Sequence, residues 1–268
     1  MRPAFAVIAL CLAPAALAAE GELSLGSGVN FTTGTYGGST STQILTIPLT
    51  ARYERESWTF KATLPYLHIS GSRAVFPGVG RVDNSNVLDN LLGPSAPQRD
   101  RAQNERRSVS GMGDASVSAS YMLYSGAANR SGIGLTGKLK FPTGDEKQGL
   151  GTGSTDAALQ IEGFQQLGRN TLFGAIGYTM FGDSPITQFE NVGNFGLGAM
   201  HRTDGGDLIG LAFDARQAGS PAPAPLRELT GFWTHKVDRN WRTQAYVLKG
   251  FARGSPDWGA GISAAYAF

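Results

Sequence analysis

The chain ends Trp258-Gly259-Ala260-Gly261-Ile262-Ser263-Ala264-Ala265-Tyr266-Ala267-Phe268. Trp258, Ala260, Ile262, Ala264, Tyr266 and Phe268 share one parity, and Gly259, Gly261, Ser263 and Ala265 share the other. Successive side chains of a strand point to opposite faces, so a period of two sets an apolar face against a small or polar one. A sandwich strand half covered by a partner sheet reads the same way, so the decision comes from the rest of the chain.

The alternation recurs upstream. Leu23, Leu25, Val29 and Phe31 alternate with Ser24, Gly26, Gly28 and Asn30. Leu45, Ile47, Leu49, Ala51 and Tyr53 alternate with Thr46, Pro48, Thr50 and Arg52. Trp58, Phe60, Ala62, Leu64 and Tyr66 alternate with Thr59, Lys61, Thr63 and Pro65. Similar patterns run from Asp114 to Leu123, Ile133 to Phe141, Asp156 to Glu162 and Ile209 to Arg216. Stretches 169–182, 193–201, 226–236 and 240–251 read as strands with apolar residues on both faces. The sum is about twelve strands of roughly 10–13 residues, enough to cross a bilayer at a tilt.

The connections separate the two architectures. Short ones fall at Glu54–Ser57, Ser125–Arg130, Gly168–Asn170, Thr203–Gly206 and Asp238–Asn240. Longer ones fall at Thr35–Ser41, Ser70–Gly111, Thr143–Gly153, Asp183–Asn191, Ala218–Pro225 and Ala252–Pro256. The two lengths alternate, with both chain ends on the short side. A sandwich has no reason to sort its loops in this way, whereas a membrane barrel has short periplasmic turns and long outer loops. Lipid requires every backbone group to pair, which demands closure. The expected fold is all-β: a transmembrane, antiparallel, up-and-down β-barrel of about twelve strands in one domain over 19–268, with a long outer loop over 70–111. The terminal Phe268, behind alternate apolar residues, resembles the signal through which the barrel-assembly machinery engages outer-membrane chains.

Composition agrees. Of 268 residues, 37 are Gly and 16% are charged, against coiled coil and charge-rich disorder. A single Cys excludes a disulfide scaffold and a Cys-based zinc site. A net charge of +2 is too mild for a nucleic-acid binder, and none is expected as a partner. Arg2, the apolar run Ala4–Leu12 and Ala16-Leu17-Ala18 form an export signal over 1–18, cleaved before Ala19 or Glu20. Cys11 leaves with it, and Leu10 before that Cys argues against lipidation. The outer membrane of a Gram-negative bacterium is the expected location, with its lipid and lipopolysaccharide as surroundings.

Two segments carry a family resemblance. One is Gly111-Met112-Gly113-Asp114 leading into Ala115–Tyr124. The other is Lys138-Leu139-Lys140-Phe141-Pro142-Thr143-Gly144-Asp145 followed by Gly151-Thr152-Gly153-Ser154-Thr155-Asp156. With Leu64-Pro65-Tyr66 and Phe268, the chain resembles the outer-membrane family of MetA-pathway phenol-degradation transporters. The motif likeness covers about 45 residues, and the pattern covers most of the mature chain. The resemblance implies a barrel that passes small, often aromatic compounds, and it brings no catalytic residues with it.

Charges on the lumen parity are the candidate functional residues. Lys61, Lys138, Lys140, Glu162, Asp214, Arg216 and Arg242 are the expected pore lining, accompanied by Arg52, Asp114, Asp156 and Glu228. Charges of both signs either brace a narrow lumen as salt bridges or set the selectivity of a polar channel. Eight strands make a filled barrel and sixteen an open one, so twelve imply a narrow pore. The expected function is a channel for small molecules, aromatic or hydrophobic compounds among them.

Two other classes stay open. His68-Ile69-Ser70 resembles the His-x-Ser motif of outer-membrane phospholipase, another twelve-stranded barrel, and a Ser nucleophile needs a His within hydrogen-bond reach. Here Gly71-Ser72 follows where the phospholipase has Asn-Gly, and no orienting Asn is evident. A plugged structural barrel is the third class. Ser70–Gly111 is either a solvated outer loop, a constriction folded into the barrel or a lipopolysaccharide contact. Gly149-Leu150-Gly151-Thr152-Gly153 lacks the Lys and following helix of a phosphate loop. Asp145, Glu146 and Asp156 could hold Ca²⁺ at the rim, although a solvated acidic turn is the simpler reading. His201 and His235 lack ligand spacing, and neither metal nor cofactor is expected.

Overall fold

A computed structural model describes residues 21–82, 106–186, 188–219 and 223–268. The export signal over 1–18 lies outside the described residues. The strands are β1 (Glu22–Gly34), β2 (Thr42–Arg55), β3 (Trp58–Ser72), β4 (Val75–Phe76), β5 (Gly80–Arg81), β6 (Arg106–Met112), β7 (Ser116–Ser125) and β8 (Ser131–Lys140). There follow β9 (Asp156–Leu167), β10 (Asn170–Met180), β11 (Val192–Arg202), β12 (Leu208–Arg216), β13 (Leu226–Lys236), β14 (Trp241–Gly250) and β15 (Trp258–Ala267).

All but β4 and β5 belong to one antiparallel sheet of 13 segments. β6 and β7 pair in tandem along β3, β6 from Tyr66 to Ser72 and β7 from Trp58 to Thr63. They therefore act as one stave of the wall, and the staves number twelve. The terminal strand closes the ring on the first, Leu25 opposite Tyr266 and Phe31 opposite Ala260. The Phe268 N–H donates to the Leu23 carbonyl at 2.9 Å beyond the last ladder pair. Closure removes both sheet edges, as lipid requires.

The parity read from the sequence is the inside–outside alternation of this wall. β1 runs exposed and half-buried by turns from Leu23 to Phe31, and the terminal Trp258, Ala260 and Ile262 are exposed. Leu49, Ile176, Leu197, Leu211, Val247 and Ile262 are among the exposed apolar side chains that ring the barrel. Such a band is far larger than a water-soluble surface carries, and it is the surface a bilayer solvates. Trp58, Tyr121, Trp241 and Tyr266 gather toward the short-turn end, and Tyr66, Phe141, Tyr178 and Trp258 toward the long-loop end. Aromatic rings at both rims suit the two lipid–water interfaces.

The stretches with apolar residues on both faces are β10, β11, β13 and β14. Their inward residues Phe173, Ala175, Met200 and Phe232 form a buried cluster with Ala212, joined by Phe164, Leu208 and Tyr246. The alternation fades there because the lumen side is itself apolar.

The expected loop over 70–111 is shorter at both ends and partly structured. β3 continues to Ser72, β6 begins at Arg106, and β4 and β5 form a small hairpin between them. Residues 83–105 lie outside the described residues.

Candidate functional site

The site is the lumen and its outer mouth. One inward row crosses four neighbouring staves: Arg52 is in register with Lys61, Lys61 with Ser118, and Ser118 with Lys138. Three of the four are cations. The strand pairing positions them, since each is the lumen-facing residue of its pleat. Ser120 and Thr136 continue the polar wall below, bonded to each other at 2.7 Å, and Thr136 donates to Glu162 at 3.1 Å. Glu162 is 8% exposed and faces inward, and Arg242 is inward near the short-turn end of β14.

The opposite wall is acidic. Sheet order places β13 six staves from β7 in either direction around the ring. There Asp214 of β12 and Glu228 of β13 stand in direct register, 3% and 1% exposed. The lumen thus carries a row of cations on one side, of which Arg52 is paired with Glu54 at 2.5 Å, and an acidic pair on the other.

Lys140 faces inward as well, but it is committed to packing. Its Nζ lies 3.1 Å from Asp114 and 2.7 Å from Asp156, with the Thr152 hydroxyl also in contact. Asp114 in turn accepts from the backbone N–H of Gly144 at 3.0 Å and of Thr152 at 3.1 Å. Thr143 accepts from the Ala115 N–H and donates to the Gly113 carbonyl. The Gly-x-Gly-Asp and Pro-Thr-Gly-Asp segments therefore interlock, and the charges at their centre hold loop 141–155 against the barrel mouth.

Arg216 is likewise inward and 3% exposed, with its guanidinium clamped on the β4–β5 hairpin. It donates to the carbonyls of Gly78 at 2.7 Å, Val79 at 2.8 Å and Ala224 at 2.8 Å. From β6, Arg107 donates to Val75 O at 3.0 Å. The hairpin is thereby held at one end by β6 and at the other by β12, across the mouth. Val75 packs with Tyr36, Ile44, Leu67, Ile69 and Leu150, while Phe76, Val79 and Val82 pack with Ile186 and Phe189. Gly80, at φ +91°, lies where a Cβ would come within 2.9 Å of Gly254 Cα, so the crossing needs a glycine there. The constriction reading of this segment is the one its described part fits.

Leu67 and Ile69 were not among the expected lining residues, yet both point inward and are 0% exposed. The signal was present: along β3 the outward residues turn polar at His68 and Ser70 just as the inward ones turn apolar. Above the lipid the outside is wet and the inside meets the hairpin.

The structure gives His68 a different serine from the one expected. Its Nδ1 lies 2.7 Å from Ser110 Oγ on β6, and Ser70 is in register with Ser108. Among the described residues no carboxylate is bonded to His68. His201 bonds Asn170 at 2.8 Å, and His235 bonds Asp207 at 2.6 Å. No group of three or more metal-ligating side chains occurs among the described residues. Asp145 caps its own turn by accepting the N–H groups of Lys147 and Gln148, and its hydrogen bonds from Gln148 hold its carboxyl below the usual range. Asp156 is engaged by Lys140 instead.

No family model matches the chain, and no curated protein matches it. Solved structures do. An outer-membrane channel of the COG4313 group from Pseudomonas putida F1 superimposes with a TM-score of 0.64 at 14% identity, covering 96% of this chain and 98% of that one. The KdgM porin gives 0.51 at 10% identity over 91% and 99%. The fold is that of outer-membrane β-barrels. The translocator domain of the autotransporter NalP from Neisseria meningitidis matches with a TM-score of 0.51 at 11% identity over 98% and 93%. A porin and a translocator at equal similarity mean that the barrel alone leaves the activity to be argued from its interior.

Proposed function

We propose that the protein is a channel of a Gram-negative outer membrane that passes small molecules, aromatic or hydrophobic compounds among them, through a narrow lumen. The observation that carries this reading is the interior itself: a half-buried basic row, Arg52, Lys61 and Lys138, on the lumen wall beneath a hairpin-narrowed mouth. A barrel built only as a membrane anchor has no need to line its interior with charges, whose desolvation is costly. Charges lining a wet path are how pores sort solutes. The part-exposed Phe164 and Tyr246, packed on the buried Phe173 and Phe232, give the lumen side an aromatic face that favours a solute with an apolar body. The likeness to the MetA-pathway phenol-degradation transporters points to the same class.

The test is single-channel recording of the refolded mature chain in a planar bilayer, followed by vesicle uptake of phenol and benzoate. Discrete conductance steps and solute entry are expected. Silence from protein whose folding is verified by heat-modifiable gel mobility would overturn the channel and leave a plugged structural barrel. The lipid-hydrolase reading is tested on the same preparation, by fatty-acid release from phospholipid vesicles in Ca²⁺. Release abolished by Ser70→Ala or Ser110→Ala would establish it.

A further inference from the structure

Two acidic side chains of the lumen wall make no ion pair among the described residues, although the charge of Arg216 reaches Glu228. Asp214 and Glu228 are cross-strand neighbours in direct register, both almost fully buried. Like charges placed opposite one another across a ladder destabilise it, and buried charges are found paired or on a metal. Arg216, the nearest cation along β12, directs its terminal nitrogens to the carbonyls of Gly78, Val79 and Ala224, and its Nε is buried without a partner.

Two orphaned oxygens mark the same place. Glu228 Oε2 is buried and accepts no hydrogen bond. Thr230, the next inward residue of β13, is 0% exposed, and its Oγ1 is also buried without a partner. Buried hydroxyls and carboxylates left unsatisfied cost free energy, and each calls for an explanation such as a bound ion. Gly196 lies opposite Asp214 and Ala212 opposite Thr230, so neither facing residue brings a polar side chain to satisfy them. Every donor in the set is a hard oxygen.

We propose that Asp214, Glu228 and Thr230 form a binding site for one divalent cation, Ca²⁺ or Mg²⁺, inside the barrel wall beneath the β4–β5 hairpin. Two carboxylates match the charge of such an ion, and the hydroxyl and waters complete its oxygen shell. The ion would relieve the repulsion across the β12–β13 ladder. It would also fix the strand from which Arg216 holds the hairpin, coupling the mouth of the barrel to divalent cation.

Calorimetric titration of the refolded chain with Ca²⁺ and with Mg²⁺, after chelator treatment and in lipopolysaccharide-free detergent, tests this. One site is expected in the wild type. It should be lost in the near-isosteric Asp214→Asn/Glu228→Gln double variant and retained in Asp145→Asn/Glu146→Gln, which alters only the rim turn. Urea unfolding gives a second readout on the wild type alone. With free Ca²⁺ at one hundred times its Kd, the unfolding equilibrium should shift by about a hundredfold relative to chelator. Absence of binding in the wild type, or equal binding in both double variants, would overturn the proposal. So would a wild-type unfolding curve indifferent to Ca²⁺ and Mg²⁺, which would mean that the two carboxyls share a proton instead.

Discussion

Lys140 is the residue on which the outer loop depends. Its ammonium sits between Asp114 and Asp156, all three buried, and Asp114 also collects two backbone N–H groups of loop 141–155. Removing one partner of a buried charge network strands the others, at about 3–5 kcal/mol. Lys140→Met should therefore lower the unfolding free energy of the refolded barrel, read from a urea titration, by that order. An unchanged unfolding free energy would mean the triad is not what anchors the loop. A second residue acts at the short-turn rim. Asp207 accepts hydrogen bonds from His235 at 2.6 Å and from the Trp233 indole at 2.9 Å, and these bonds hold its carboxyl below the usual carboxylate range. A lowered folded value means that the stabilising contribution is complete above the unfolded value, near 4, and is lost as pH falls through the lower folded one. The stability difference between wild type and Asp207→Asn should thus persist from pH 7 down to about 5 and close only below about 4. A difference that closed between pH 7 and 5 would refute the assignment to the carboxylate.

The hairpin Val75–Arg81 is the element that decides how wide the mouth is. It belongs to no stave of the wall, so its removal costs the barrel no ladder hydrogen bond. Replacing 75–81 by a short Gly-Ser link should leave heat-modifiable folding intact and raise single-channel conductance, on the order of twofold or more. Unchanged conductance would place the narrowest point elsewhere. The wall was legible in the sequence because strands half in lipid and half in a polar lumen carry the alternation strongly. β1, β2, β3 and β15 are read almost to the residue from it. Legibility fell where the environment breaks the rule that inside means polar: β10 and β13, with Phe173 and Phe232 turned inward, show no clean alternation. The lumen charges were legible as a set by parity, but not their division of labour. Nothing local distinguishes Lys138, in a row with Lys61 and Arg52, from Lys140, bound to residues 26 and 16 positions away. Nor does parity find Ser110 as the partner of His68, because β6 pairs with β3 across 42 residues of chain.

At the scale of the whole molecule, the interior is electrically asymmetric. The basic row lies on β2, β3 and β8, with Ser118 of β7 between its lysines, and the acidic pair lies on β12 and β13 across the lumen. A field directed across a narrow path in low-dielectric surroundings is stronger than the same charges produce in open water. An ion passing through samples whichever wall is more exposed. Asp214 and Glu228 are 3% and 1% exposed, whereas Lys61 and Lys138 are half-buried, so the basic wall should dominate and the pore should prefer anions. Lys138→Glu converts the middle of that wall and should move the reversal potential in a salt gradient toward cations. Lys140→Glu should not do so as a folded channel: it sets three carboxylates together at Asp114 and Asp156, and the expected outcome is loss of refolded protein. A Lys138→Glu pore with unchanged selectivity would show that ions take a path away from the row. A well-folded Lys140→Glu pore with altered selectivity would show that the triad, and not the row, is the selective surface.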